Sequence, residues 1–308
     1  MRRLGYVGAT LLALVMGGCD LTQVTIADLA DIVVAEVYVT IGDTPNQNAV
    51  WAFIHGSSAG EEPSSATFAD AVVTVTDAAG VEHQLSFTAA VVCVVSRPPD
   101  AGGSCFSASV PVASSIQAGD RLSVRIVLGD GRTLTGTTRI PGAFSVAGVL
   151  PECRIRPDSL FPLAWTRSDS SWAYVSEALL LDLPAALLGE GIDAPDSLSL
   201  TGLSISETDT TIVFPSEFGV FDRFELERDL AVRLQRGLPY GASAEVAITA
   251  TDRNYVNWVR GGSFNPSGTV RVGSLVGDGT GVFSSVVTRR FTLFSTTDAS
   301  QGPACPGL

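Results

Sequence analysis

Basic residues are scarce in this sequence and lysine is absent, so that arginine supplies all 19 basic side chains against 32 aspartates and glutamates. The formal net charge is −13 at pH 7. A chain with this charge repels nucleic-acid phosphates, because binding to nucleic acid depends on clusters of lysine and arginine. We therefore expect no nucleic-acid partner.

Histidine is also scarce, since the sequence has only His55 and His83. General acid–base catalysis near neutral pH most often uses histidine, and no Cys-x-x-Cys pair is present to bind zinc. Residues 56–60 match the nucleophile elbow of hydrolases around Ser58, but that motif needs a following helix, and residues 61–65 read as a loop. We predict no catalytic residue, no metal site and no cofactor; a serine hydrolase around Ser58 is the least favoured alternative.

The apolar run at the start of the chain, residues 4–16, is too short to cross a bilayer as a mature helix. Two arginines precede it, and two glycines and then Cys19 follow it. This order resembles the bacterial lipobox, in which a signal peptide is cleaved before a cysteine that carries lipid. We predict a signal peptide over residues 1–18, lipid on Cys19 and a tether over residues 19–30. The protein would then be a membrane-anchored lipoprotein of the cell envelope, with the outer membrane favoured over the inner.

Four cysteines remain beyond Cys19, an even number that suits disulfides in an oxidising envelope. Cys93 and Cys105 flank a turn-rich stretch between two runs with strand character, so a hairpin would bring them together. Cys153 opens the second half of the chain and Cys305 closes it, so that a bond between them would join the ends of a domain. Three pairings are possible, and we predict Cys93–Cys105 and Cys153–Cys305.

Short runs of β-branched residues separated by turns predict an all-β fold of two β-sandwich domains. Residues 71–76 and 81–87 flank one turn and predict a hairpin, and residues 122–128 and 133–138 flank another. The predicted domains are therefore an immunoglobulin-like or fibronectin-like β-sandwich and a second mainly-β domain, and their bounds are residues 31–146 and 147–308.

Two segments of the second domain need a decision between strand and helix. Asp252 is placed to cap one short helix that ends at Arg260, with Tyr255 and Trp258 on one face. Residues 224–234 have helical propensity, but their apolar residues alternate with polar ones. Because a period of two is typical of a half-buried strand, we predict a strand there.

Several short motifs succeed one another in a recognisable order, and after the lipobox they occupy residues 70–75, 119–124, 136–141, 252–258, 265–266 and 277–283. In this order they resemble a family of bacterial envelope lipoproteins known only as a domain of unknown function. Genes of that family often lie beside those of TonB-dependent outer-membrane receptors. The resemblance implies a location and a fold, and it implies no reaction. The first half alone is similar to immunoglobulin-like and transthyretin-like modules.

Four aromatic residues of the second half are candidates for a ligand-binding platform: Trp172, Tyr174, Tyr255 and Trp258. The first two share one face of a predicted strand, but large aromatics in a sandwich also pack cores, and both interpretations stay open. The sequence therefore predicts a non-catalytic, lipid-anchored envelope protein that binds a partner, as an accessory to a TonB-dependent receptor. The alternative is a surface lipoprotein that binds glycans or peptides through these aromatics.

Overall fold

A computed structural model describes residues 32–57, 68–89, 92–93, 102–204, 206–219, 228–260 and 272–307. The predicted signal peptide, Cys19 and the predicted tether lie outside the described residues, as does Ser58. The fold and the site are those of the described residues alone.

Strands account for most of the regular structure among these residues, so the fold is all-β, as predicted. The strands are β1 (Val33–Ile41), β2 (Ala49–Gly56), β3 (Val72–Thr76), β4 (Glu82–Gln84), β5 (Ser86–Thr88), β6 (Ser104–Ser107), β7 (Arg121–Val127), β8 (Thr133–Arg139), β9 (Val146–Ala147), β10 (Glu152–Ile155), β11 (Phe161–Trp165), β12 (Ala173–Leu181), β13 (Ser197–Ser204), β14 (Thr211–Phe214), β15 (Ser243–Thr251), β16 (Leu275–Gly277) and β17 (Thr280–Ser295). The α-helices are α1 (Val110–Ser115), α2 (Leu183–Leu187), α3 (Arg228–Leu234) and α4 (Arg253–Arg260).

One large sheet, which we call the shared sheet, contains strands from both halves of the chain. Its order is β13-β12-β15-β17-β1-β2-β6-β5, and β10 pairs with the end of β17. A five-stranded sheet has the order β16-β8-β7-β3-β4, and a three-stranded sheet has the order β14-β11-β9. Buried side chains of all three sheets belong to one apolar core. In β1 every second residue, from Val33 to Ile41, is buried in that core, because successive side chains of a strand point to opposite faces.

The predicted boundary between residues 146 and 147 falls inside this continuous arrangement. The first part of β17 pairs in parallel with β1 along residues 280–287, and its later part pairs with β15 along residues 286–294. β16 likewise joins β8. The last strands of the chain therefore complete the first sandwich as well as the second, and residues 32–308 form one unit. Short-range sequence pattern does not reveal a pairing between strands so far apart in the chain.

The strand predicted over residues 224–234 is wrong where the structure describes it, because residues 228–234 form α3. Leu230 and Leu234 are buried, whereas Val232 is 46% exposed. This is helical spacing, since side chains four residues apart share a helix face. Arg233 completes the buried face and hydrogen-bonds to Glu190 and Asp158.

The helix predicted after Asp252 is confirmed as α4, and its cap is present. The Tyr255 backbone N–H donates to Asp252 Oδ1 at 2.8 Å. The second half nevertheless contains three short α-helices among its described residues, where one was predicted. Two of them, α2 and α3, are five and seven residues long, at most two helical turns, so the helical period repeats too few times to stand out in the sequence.

Both predicted disulfides are present. The Cα atoms are 5.8 Å apart in Cys93–Cys105 and 5.0 Å apart in Cys153–Cys305. The second bond fastens the end of the chain beside β10, where the Cys305 N–H donates to the Arg154 carbonyl at 3.0 Å. It closes a loop of 152 residues, against 12 for the first bond.

We expect the loss of Cys153–Cys305 to cost more stability than the loss of Cys93–Cys105. The entropy of closing each loop in the unfolded chain corresponds to roughly 5 and roughly 3 kcal/mol. Urea unfolding of Cys153→Ala/Cys305→Ala and Cys93→Ala/Cys105→Ala, each beside the wild type, measures the two losses. An equal loss in both variants would show that chain entropy does not set the ranking.

Candidate functional site

The four candidate aromatic residues do not meet on one surface. Tyr174 is fully buried, and its hydroxyl accepts the Ser168 backbone N–H at 2.8 Å. Its ring packs against Phe144 and Trp165, with centroids 6.0 and 5.3 Å away. Tyr174 is therefore a core residue whose polar end is satisfied, which is the usual position for a buried tyrosine.

The other three candidates occupy different surroundings. Trp172 is 44% exposed, and the Arg253 guanidinium lies 5.2 Å from its ring centroid. Tyr255 lies edge-on to Tyr38 at 6.4 Å, and Trp258 is buried. Because Tyr174 and Trp258 are both buried, a platform made of all four is not present in this structure.

The two histidines lie in different sheets and have separate contacts. His83 Nε2 lies 2.9 Å from Asp77 Oδ2, and this hydrogen bond is the largest cause that lowers the pKa of Asp77. His55 Nδ1 lies 2.8 Å from the Gly56 carbonyl, and its Nε2 lies 4.0 Å from a Glu36 oxygen. The two histidines are therefore not neighbours and form no shared site.

An open groove of about 880 Å³ lies over the shared sheet, on the part formed by β13, β12, β15 and β17. Its floor is the sheet face opposite the core. One row of register partners across the four strands is Thr201, Glu177, Ala247 and Arg290, and the next is Ser199, Leu179, Glu245 and Thr292. Because the Ala247 side chain is small, there is a depression in the floor between Glu177 and Arg290. The floor is therefore low, polar and charged, and neither histidine lines it.

Residues 43–47 and 144–151 form one side of the groove. Arg289 joins this side to β17, since its Nε donates to the Phe144 carbonyl and its Nη1 to the Gly42 carbonyl, both at 2.9 Å. The Arg290 backbone N–H donates to Asp43 Oδ2 at 3.0 Å. The wall is thus fixed to the floor by hydrogen bonds from two successive residues of one strand.

Three charged side chains of the floor have no ion-pair partner among the described residues. Glu177, Glu245 and Arg290 are all exposed. Glu177 also acts at a distance, because burial and the nearby Glu177 carboxylate raise the pKa of Tyr255. These charges are available to a molecule that enters the groove.

The groove residues were not predicted from the sequence, although part of the signal was there. In β12 the run Ala173–Leu181 alternates apolar core residues with Glu177 on the other face, and β15 places Glu245 in the same way. The alternation predicts that each glutamate points away from the core. It does not predict that β12 and β15 are neighbours, and so it could not bring the two carboxylates together.

A buried carboxylate joins the two sandwiches beside the groove strands. Asp252 is 4% exposed. Its Oδ2 accepts the Thr138 hydroxyl of β8 at 2.5 Å, while its backbone N–H donates to the Ser285 carbonyl of β17. Burial raises the pKa of Asp252 to about 6, against opposing hydrogen bonds from Thr138, Tyr255 and Ser285. Asp252 therefore connects α4, the five-stranded sheet and the shared sheet through one costly buried group.

Within the described residues there is no cluster of three or more histidine, cysteine, aspartate or glutamate side chains placed to hold a metal ion. The described helices include none that is long and apolar enough to cross a membrane.

Similarity to known proteins is slight. No family model matches the sequence, and no curated protein does. Among solved structures, the fibronectin(III)-like modules of Clostridium thermocellum CbhA are similar with a TM-score of 0.22 and 9% identity, over 85% of this chain and 90% of that one. A superposition this loose carries no argument, so the resemblance to envelope lipoproteins stays a prediction.

We expect Asp252 to make the protein less stable as pH rises from about 4 to about 6. A raised pKa means that the folded state keeps a proton that the unfolded state releases in this window, a difference of about 3 kcal/mol. Asp252→Asn mimics the protonated group and preserves a capping oxygen. Between pH about 4 and about 7 its free energy of unfolding should therefore fall by about 3 kcal/mol less than that of the wild type. Urea unfolding at both pH values measures the difference.

The exposed Glu82→Gln serves as the control for this experiment, since it removes one carboxylate from the edge strand β4. It should leave the pH dependence of the wild type nearly unchanged. The same pH dependence in Asp252→Asn and in the wild type would contradict the assignment.

Proposed function

We propose that this protein is a non-catalytic, lipid-anchored lipoprotein of the cell envelope that binds a partner protein in the groove over the shared sheet. The observation that carries the proposal is the groove itself, a four-strand face with unpaired charges and a wall fixed by Arg289. Exposed charges that have no partner within the protein can pair across a protein–protein interface, where charge complementarity sets specificity.

The chemistry of the groove favours binding over catalysis. Its lining contains Ser, Thr, Glu, Asp and Arg side chains and neither histidine. Among the described residues, neither the Thr201 nor the Ser199 hydroxyl is hydrogen-bonded to a carboxylate or a histidine, as an activated nucleophile would be. His55 lies beside Glu36 and His83 beside Asp77, away from the groove. A rigid sheet face instead suits recognition of a surface or segment of another protein.

The anchor and the partner come from the sequence. Lipid on Cys19 would hold the protein at the outer membrane, and the family resemblance makes a TonB-dependent receptor the partner to test first. Glycan binding through Trp172, Tyr174, Tyr255 and Trp258 is less favoured, because these aromatics are divided between the core and separate surfaces. Partner binding is therefore the function that the groove supports best.

Replacing the anchor cysteine should release the protein from the membrane. In Cys19→Ala there is no thiol to receive the lipid, so we expect loss of palmitate labelling and either an uncleaved precursor or a soluble form. Metabolic labelling and membrane fractionation measure both. Labelled, membrane-bound Cys19→Ala protein would show that the lipobox interpretation is wrong.

A photo-crosslinking amino acid placed at Thr201 should give a discrete adduct in cells that make the protein, because Thr201 lies on the groove floor. The matched control position is Thr135, an exposed threonine of β8 in the other sheet. Mass spectrometry of the Thr201 adduct identifies the partner and shows whether it is an outer-membrane receptor. No adduct at Thr201, or the same adduct at both positions, would refute partner binding through the groove.

A further inference from the structure

The two glutamates of the groove floor have a spacing that matches an extended peptide. Glu177 is the register partner of Ala247, and Glu245 lies two residues before Ala247 on the same strand. The glutamates are therefore diagonal neighbours on antiparallel strands, about 7 Å apart at their backbones. Alternate side chains of an extended chain lie on one side at about 6.8 Å, so that two of them can meet the two carboxylates together.

The negative charges of Glu177 and Glu245 determine which side chains of a bound peptide the groove would favour. Both carboxylates are exposed and have no ion-pair partner among the described residues. The whole chain carries a net charge of −13 and has no lysine, and such a field attracts basic segments of other proteins and speeds their encounter. Leu179 on the floor, with Val149 and Leu150 on the wall, offers apolar surface for the methylene stems of lysine or arginine.

Arg290 sets the limit of the basic subsite. It lies in the same register row as Glu177, two strands away across Ala247, which corresponds to about 10 Å. It is also the diagonal neighbour of Glu245 on the adjacent strand, about 7 Å away at the backbone. A basic side chain is therefore repelled near β17 and attracted toward β12, where Glu177 is farther from Arg290 than Glu245 is. The groove thus distinguishes one end of an occupant from the other.

We propose that the groove binds an extended segment of the partner protein that has lysine or arginine at alternate positions, with Glu177 and Glu245 as the acceptors. This inference rests on the proposed function, since it names the chemistry of the occupant of the same groove. Peptide binding tests the charge assignment, and the crosslink at Thr201 tests partner binding independently of it.

The probe is a fluorescent peptide of about ten residues, the length of a long strand, in which lysine alternates with threonine. It is titrated with the full-length protein in non-ionic detergent, and fluorescence anisotropy gives Kd. Peptides with glutamine or glutamate in place of lysine test the charge. A peptide of the same composition with its lysines in adjacent pairs tests the spacing.

The alternating lysine peptide should bind most tightly, and binding should weaken as salt rises from about 50 to about 300 mM, because salt screens exposed charges. Glu177→Gln/Glu245→Gln removes both acceptors and should weaken binding roughly tenfold. The control Glu82→Gln/Asp229→Asn removes the same charge from exposed positions on β4 and α3 and should change Kd less than about twofold. Arg290→Gln removes the repelling cation beside Glu245, so it should tighten binding.

Equal binding of the glutamine peptide, or an unchanged Kd in Glu177→Gln/Glu245→Gln, would overturn the charge assignment. Repeating the Thr201 crosslink in this double variant then separates the two proposals. If the adduct persists while the peptide results fail, the groove binds its partner by other contacts and only the basic occupant is refuted. If Thr201 gives no adduct even in the otherwise wild-type chain, the proposed function fails first.

Discussion

The hydrogen bonds of β17 are the interaction on which the rest of the structure depends. This one strand of 16 residues pairs with β1 in its first part, with β15 from Val286 to Phe294, and with β10 at its end. The first sandwich therefore closes only after the last regular strand of the chain is in place. Pairings between residues so distant in sequence are entropically costly to form, and the disulfide at Cys305 fastens the segment after β17.

A strand shared by two sandwiches also explains why one face is open. The core sides of the shared sheet are covered by the two smaller sheets. On the opposite face, α4 packs Tyr255 against Tyr38, and the Cys93–Cys105 disulfide packs on Phe53. These covers lie over the part formed by β1, β2 and β6. Among the described residues no such cover lies over the part formed by β13, β12 and β15, and this part forms the floor of the groove.

The sequence predicts local features well here and long-range ones poorly. Alternation and turn residues predicted the all-β class, the hairpin of β7 with β8 and the pairing of β3 with β4, although residues 86–88 of the first predicted hairpin pair with β6 instead. Chain position predicted both disulfides. The same alternation gave a wrong prediction at Leu230, Val232 and Leu234. Their spacing in the sequence fits a strand, but in the structure Leu230 and Leu234 are buried on one face of a helix and Val232 is exposed. The groove could not be predicted, since Glu177 and Glu245 are 68 residues apart and meet only through the pairing of β12 with β15.

Asp252 shows how the open face and the junction are linked. It comes directly after Thr251, the last residue of β15, and turns the chain from the groove floor into α4. Its carboxylate is held by Thr138 from the five-stranded sheet, and its N–H by Ser285 of β17. An apolar side chain would leave the Tyr255 backbone N–H in the first turn of α4 without its acceptor and the Thr138 hydroxyl with Ser285 Oγ as its remaining partner, and unsatisfied buried groups are costly. Asp252 is therefore a buried ionisable residue at the junction of the two sandwiches. It also fixes the start of α4 and so the position of Tyr255, which packs against Tyr38 and lies near Glu177.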